Sequence, residues 1–180
     1  FCIKAFAVLG FIRRNCSEFR DIYALKVLYC SLVRSILEYG VQVWAPYHAV
    51  HGSRIERVQR CFVRFALRGL PWNDPHRLPP YENRCQLINL EPLHQRRVYL
   101  QRLFAFDLVS NRLDCGHLLQ QVNLYVPARN SRQRQLFWIP MHRTVFGENH
   151  PVERCFRKLN EVSTEFDFNV TRNRFKILIR

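Results

Sequence analysis

Glycine and lysine are scarce in this 180-residue chain. The six glycines stand alone, at positions 10, 40, 52, 69, 116 and 147. That excludes collagen-like and glycine-rich low-complexity classes and leaves no glycine-rich loop to cradle a phosphate. No stretch approaches the roughly 20 apolar residues that a membrane helix needs. Phe1 to Ile12 is apolar but is broken by Lys4 and followed by Arg13-Arg14, the reverse of a signal peptide's charge order. The seven cysteines (Cys2, Cys16, Cys30, Cys61, Cys85, Cys115 and Cys155) are far apart. They form no Cys-x-x-Cys pair for structural zinc, and an odd, scattered set reads as reduced, buried thiols in a cytoplasmic or nuclear protein. His48 and His51 have no cysteine or carboxylate pair beside them and read as surface or capping residues.

Carboxylates are also few, 14 in all. The five aspartates (Asp21, Asp74, Asp107, Asp114 and Asp167) are isolated, whereas two-metal nucleotidyl transfer needs carboxylates that converge on the ions. There is no glycine-framed serine elbow and no family signature around any cysteine. The sequence therefore assigns no catalytic residue, no metal site and no cofactor.

What remains is a basic globular chain. Hydrophobic residues make up 48% and charged residues 23%, an ordinary balance that suits one domain or two small ones. At this length a core needs no disulfide or metal staple. Against the 14 acids stand 28 basic residues, a formal charge of +14 at pH 7. Only Lys4, Lys26, Lys158 and Lys176 are lysines. Arginine suits bidentate phosphate contacts and stacking on bases, so the expected partner is an anionic polymer, nucleic acid first. A biased coding composition yields the same enrichment.

The periodicities predict an all-α fold. Ile22 to Tyr39 is the clearest helix, with Ile22, Leu25, Tyr29, Leu32 and Ile36 as its stripe and Leu28, Val33 and Leu37 beside it. Asp21 is placed to cap it, Arg34 pairs with Glu38, and Gly40 ends or bends it. A second helix is expected over Ser53–Arg68, opened by a capping box of Ser53 and Glu56. Ile55, Val58, Phe62, Phe65 and Ala66 form its apolar face. Arg57, Arg60, Arg64 and Arg68 share a separate sector of roughly 80°, with Arg54 just outside it and Glu56 as the only acid among them. A solvated face normally interleaves acids; this one does not, and Trp44, Tyr47 and Trp72 flank it as candidate stacking groups.

Prolines 71, 75, 79 and 80 mark a connector, giving an N-terminal unit 1–70, a Pro-rich connector 71–80 and a helical C-terminal region 81–180. Helices are expected there at Tyr81–Ile88, Leu93–Arg112, His117–Val122, Pro151–Val162 and Thr171–Arg180. Leu93, Arg97, Leu100, Phe104 and Leu108 line up along the second of these. The Val126–Pro140 loop carries Arg129, Arg132 and Arg134, a second basic patch or a mobile linker. No fixed-period repeat is visible.

Several segments together resemble one family. They are Leu9-Gly10-Phe11-Ile12-Arg13-Arg14; Leu28-Tyr29 leading into Ser31 to Gly40; Val43-Trp44; and Arg54-Ile55-Glu56 with Val58-Gln59-Arg60 and Phe62. Downstream, Leu90-Glu91 through Arg96-Arg97 and Asn160-Glu161 through Phe166 to Asn169 look like the tail of the same open reading frame. The family is the reverse transcriptase of insect-type non-LTR retrotransposons (jockey-like elements), in the stretch after the polymerase palm. The resemblance implies a thumb-like helical bundle, then a smaller helical C-terminal unit, in a piece of a longer RNA-directed DNA polymerase. The family's Tyr-x-Asp-Asp turn, other palm motifs and zinc knuckle have no match here, so the chain is not expected to be an enzyme by itself. The implied partners are template–primer nucleic acid, as RNA–DNA hybrid or duplex, and the upstream palm, without a membrane. The candidate clamp is Arg57, Arg60, Arg64 and Arg68, with Arg54 and Arg34 secondary, and it rests on helical geometry rather than on the resemblance. The alternatives are a helical protein-interaction module and a non-functional transposon relic.

Overall fold

A computed structural model describes residues 1–70, 79–126, 135–162 and 170–179. The chain is all-α, mostly helical with one two-stranded ribbon among the described residues. Its contacts gather into two compact units, Phe1–Gly40 with Pro46–Arg96, and Val41–Ala45 with Arg97–Arg180.

The first unit opens with α1 (Cys2–Asn15), which buries Ala5, Leu9 and Ile12. Its other faces are also largely apolar, so no amphipathic period announces the helix in the sequence. Arg13 and Arg14 lie in its last turn, where cations favour the helix dipole. The expected Ile22–Tyr39 helix forms as α2 (Ile22–Leu28), a π-helical stretch (Tyr29–Arg34) and α3 (Ser35–Glu38). The Asp21 carboxylate accepts from Tyr23 N–H at 2.8 Å, and Gly40 follows at φ 63°, a left-handed conformation that suits glycine.

The buried line differs from the predicted stripe: Leu25, Tyr29, Val33 and Leu37 point inward, while Leu32 is exposed. Four-residue steps on an α-helix drift by about 40° each. The wider i→i+5 turn absorbs that drift and keeps the four side chains on one side.

Helix α5 (Ala49–Ala66) closes this core with Ile55, Val58, Phe62, Val63, Phe65 and Ala66. Tyr29 and Phe62 stack with ring centres 4.1 Å apart. Helix α6 (Tyr81–Leu87) packs on α5 through Tyr81 and Cys85. That packing places 81–96 in the first unit, where the sequence suggested a boundary at the prolines. Residues 71–78 of the connector, Trp72 included, lie outside the described residues. Lys26 Nζ donates to the Asn89 carbonyl at 2.7 Å, and Arg96 binds both oxygens of Glu38.

The second unit contains α4 (Val41–Trp44), most of α7 (Leu93–Val109), and α8 (Gly116–Leu119). Strands β1 (Asn123–Leu124) and β2 (Phe137–Trp138) follow, then α9 (Val145–Glu148), α10 (Pro151–Asn160) and α11 (Arg172–Leu178). The strands pair antiparallel, Asn123 opposite Trp138 and Leu124 opposite Phe137. Two-residue strands are too short for alternation to show in the sequence, which read this stretch as loop. Phe106 stacks on Phe175 at 4.1 Å, and Phe137 packs on Phe156 at 4.8 Å. Val152, Phe156 and Leu159 face inward with Pro151 at the helix start, as the sequence predicts. Thr171 precedes α11 without a side-chain cap bond. The Asn160 side chain bonds both N–H and C=O of Phe137, at 3.1 and 2.9 Å, and ties α10 to β2. The arginines at 129, 132 and 134, the Phe166–Asn169 link and Arg180 lie outside the described residues.

Candidate nucleic-acid interface

Helix α5 begins four residues before the expected start. His48 occupies its N-cap without a side-chain bond, so Ser53 lies inside the helix and the Ser53–Glu56 capping box does not form. With Ile55 taken as zero, the buried residues occupy about half the wheel, and Arg60, Ser53, Arg64, Arg57 and Arg54 follow in order around the rest. All five are exposed. Arg54 to Arg64 covers about 15 Å of helix.

Among the described residues, no salt bridge reaches Arg54, Arg57, Arg60 or Arg64. The successive pairs 54/57, 57/60 and 60/64 are helical neighbours, and each like-charge pair of this kind costs about 0.2–0.5 kcal/mol at low salt. Arg60 has partial relief, its guanidinium lying 5.0 Å from the centre of the Tyr81 ring. An anion along the face would relieve the rest.

Glu56, which the sequence placed among the arginines, is buried instead. Its Oε1 accepts from Tyr81 O–H at 2.6 Å and from Leu93 N–H at 3.0 Å. It thereby caps the start of α7 from a different helix. One turn on, Gln59 is 0% exposed. It accepts from Tyr29 O–H at 3.0 Å and donates to the Glu91 carbonyl at 2.9 Å. Burial pushes both phenols well above their ordinary ionisation range, and for Tyr81 the bond to Glu56 adds to the shift. These polar bonds fix the rotation of α5, so the arginine half faces outward.

Arg68 and Arg34 differ from the other four. Arg68 lies past the helix end. Its guanidinium donates to the carbonyls of Cys16 (3.0 Å), Ser17 (2.5 Å), Phe19 (3.1 Å) and Phe65 (3.0 Å), and lies 3.9 Å from the Phe65 ring centre. Though itself exposed, it therefore commits donors to the α1–α2 turn. Arg34 stands on the π-helical stretch, 3.9 Å from Glu38, with its side chain 22% exposed. Arg13, which the sequence reading did not single out, lies 5.9 Å from the centre of the Phe65 ring, the same ring that Arg68 approaches. The Arg13-Arg14 pair was its only signal. Tyr47 is exposed just ahead of α5 and packs against His48 at 4.2 Å. Trp44 belongs to the second unit.

No group of three or more metal-ligating side chains occurs among the described residues. The cysteines are free thiols there, with Cys16, Cys85 and Cys155 buried. No helix among the described residues is long and apolar enough to cross a membrane. Comparison with protein families, with curated proteins and with solved structures finds no match.

Proposed function

We propose that the chain is the thumb and C-terminal portion of a non-LTR retrotransposon reverse transcriptase, and that its first unit holds template–primer nucleic acid by the phosphate backbone. Arg57, Arg60 and Arg64, with Arg54 at the edge, are the contacting residues. Such contacts position a duplex and read its shape rather than its sequence. Chemistry would belong to the palm of the parent protein, in the nucleus or cytoplasm. The observation that carries this reading is the outer half of α5: four exposed arginines with no salt bridge among the described residues, on a helix whose inner half is locked by Glu56, Gln59 and the apolar core. Arg68 is left out of the clamp because its donors already bind backbone carbonyls. The salt dependence of binding to an RNA–DNA hybrid tests the reading.

A second reading, a protein-interaction module, is favoured by one feature of α1. Ile3 (88% exposed), Ala7 and Phe11 (56% exposed) form a line on the side away from the core. An apolar surface on both sides of a helix is typical of one covered on both sides.

A further inference from the structure

The β1–β2 ribbon turns its two faces to different surroundings. Phe137 points into the core of the second unit, so strand alternation turns Trp138 outward, where it is 49% exposed. Tyr125, directly after β1 and bonded through its N–H to the Leu136 carbonyl at 2.9 Å, lies on that same outward face. It is diagonal to Trp138 across the ribbon and 42% exposed.

The two rings line an open groove of about 580 Å³, with Met141 and His142 from the chain after β2, Glu148 from α9 and Arg157 from α10. That volume falls in the ordinary range of ligand sites. Most of the charges around the groove have partners. His142 Nε2 lies 2.6 Å from Glu153, and Glu161 binds Lys158 and Arg102 at 2.7 and 3.2 Å. Among the described residues, Arg157 and Glu148 have no ion pair.

We infer that this groove holds a base of single-stranded nucleic acid, stacked on Trp138 and Tyr125, with its phosphate at Arg157 and an exocyclic amino group donating to Glu148. Aromatic platforms beside a cation bind single strands in this way, and a carboxylate accepts from the N4 amino group of cytosine. A proline-rich peptide also fits an aromatic groove. It has no use for a cation and an anion that have no ion pair among the described residues, and the 28 basic residues against 14 acidic ones favour a polyanion. This site lies in the second unit and goes beyond the α5 reading.

The test uses the full chain with Arg54, Arg57, Arg60 and Arg64 changed to Gln, so that failure at α5 and failure at this groove are read separately. Ten-nucleotide oligocytidylate is titrated against tryptophan emission and binding is confirmed by anisotropy. Saturable quenching is expected. Trp138→Leu should abolish it and weaken binding by about 5- to 100-fold, while Trp138→Phe retains most of the affinity. Arg157→Gln should lower the log–log salt slope by about 0.7. Thermal midpoints within a few degrees of the parent establish that each variant is folded. Equal affinity of Trp138→Leu and its parent would overturn the inference. So would quenching by decaproline without quenching by the oligonucleotide, which would make the groove a peptide site.

Discussion

Tyr81 O–H donates to Glu56 at 2.6 Å, and the same carboxylate oxygen receives Leu93 N–H at 3.0 Å. One buried side chain on α5 thus joins α6 to the first turn of α7. Removing it leaves two buried donors without an acceptor, each costing about 1–3 kcal/mol. Glu56→Ala should therefore lower unfolding free energy by about 2–6 kcal/mol in a urea titration. Glu56→Gln, which keeps an acceptor, should recover more than half of that loss.

Alkaline pH reads the same network. Tyr81 and Tyr29 are held protonated above their ordinary value of 10.0. Their unfolded counterparts lose protons first as pH rises, so the unfolded state binds fewer protons and stability falls with pH. The contribution is intact below pH 10 and declines above it. Urea midpoints measured from pH 9 to 11 should fall, and Tyr81→Phe should flatten the fall.

Arg68 separates structure from binding. Its guanidinium bonds to carbonyls of Cys16, Ser17 and Phe19 hold the end of α1 and the following turn. Arg68→Gln should cost about 1–3 kcal/mol of stability, seen as a lower urea midpoint. It should leave the salt slope of hybrid binding unchanged, unlike substitutions at Arg57, Arg60 or Arg64.

Thiol chemistry reports the core of the second unit. Cys155 is fully buried, and burial pushes its thiol up to about 12, so little reactive thiolate forms at pH 8. Cys115 is exposed. Alkylation with iodoacetamide at pH 8, followed by peptide mass spectrometry, should label Cys115 first. Cys155 should be labelled only in denaturant.

The apolar half of α5 was legible because a regular helix writes its buried face into the sequence at a 3.6-residue period. Ile55, Val58, Phe62, Phe65 and Ala66 are all buried as expected. Glu56 was not legible as a core residue because its partners, Tyr81 and Leu93, come 25 and 37 residues later. Arg68 looked like the other arginines of the face for the same reason, since the carbonyls it binds in the α1–α2 turn lie 49 to 52 residues earlier. The π-helical stretch defeated the predicted stripe, because an inserted residue shifts the period without changing the composition. The aromatic groove depends on a two-residue ribbon, below the length at which alternation is visible.

The most direct measurement is the affinity of the full chain for a labelled RNA–DNA hybrid across a salt series, beside its Arg54/Arg57/Arg60/Arg64→Gln variant. If α5 clamps the phosphate backbone through these four side chains, the log–log slope falls by about 3 to 4 in the variant, near 0.9 per lost contact. Equal slopes for the two proteins, both folded by their melting curves, would contradict the clamp.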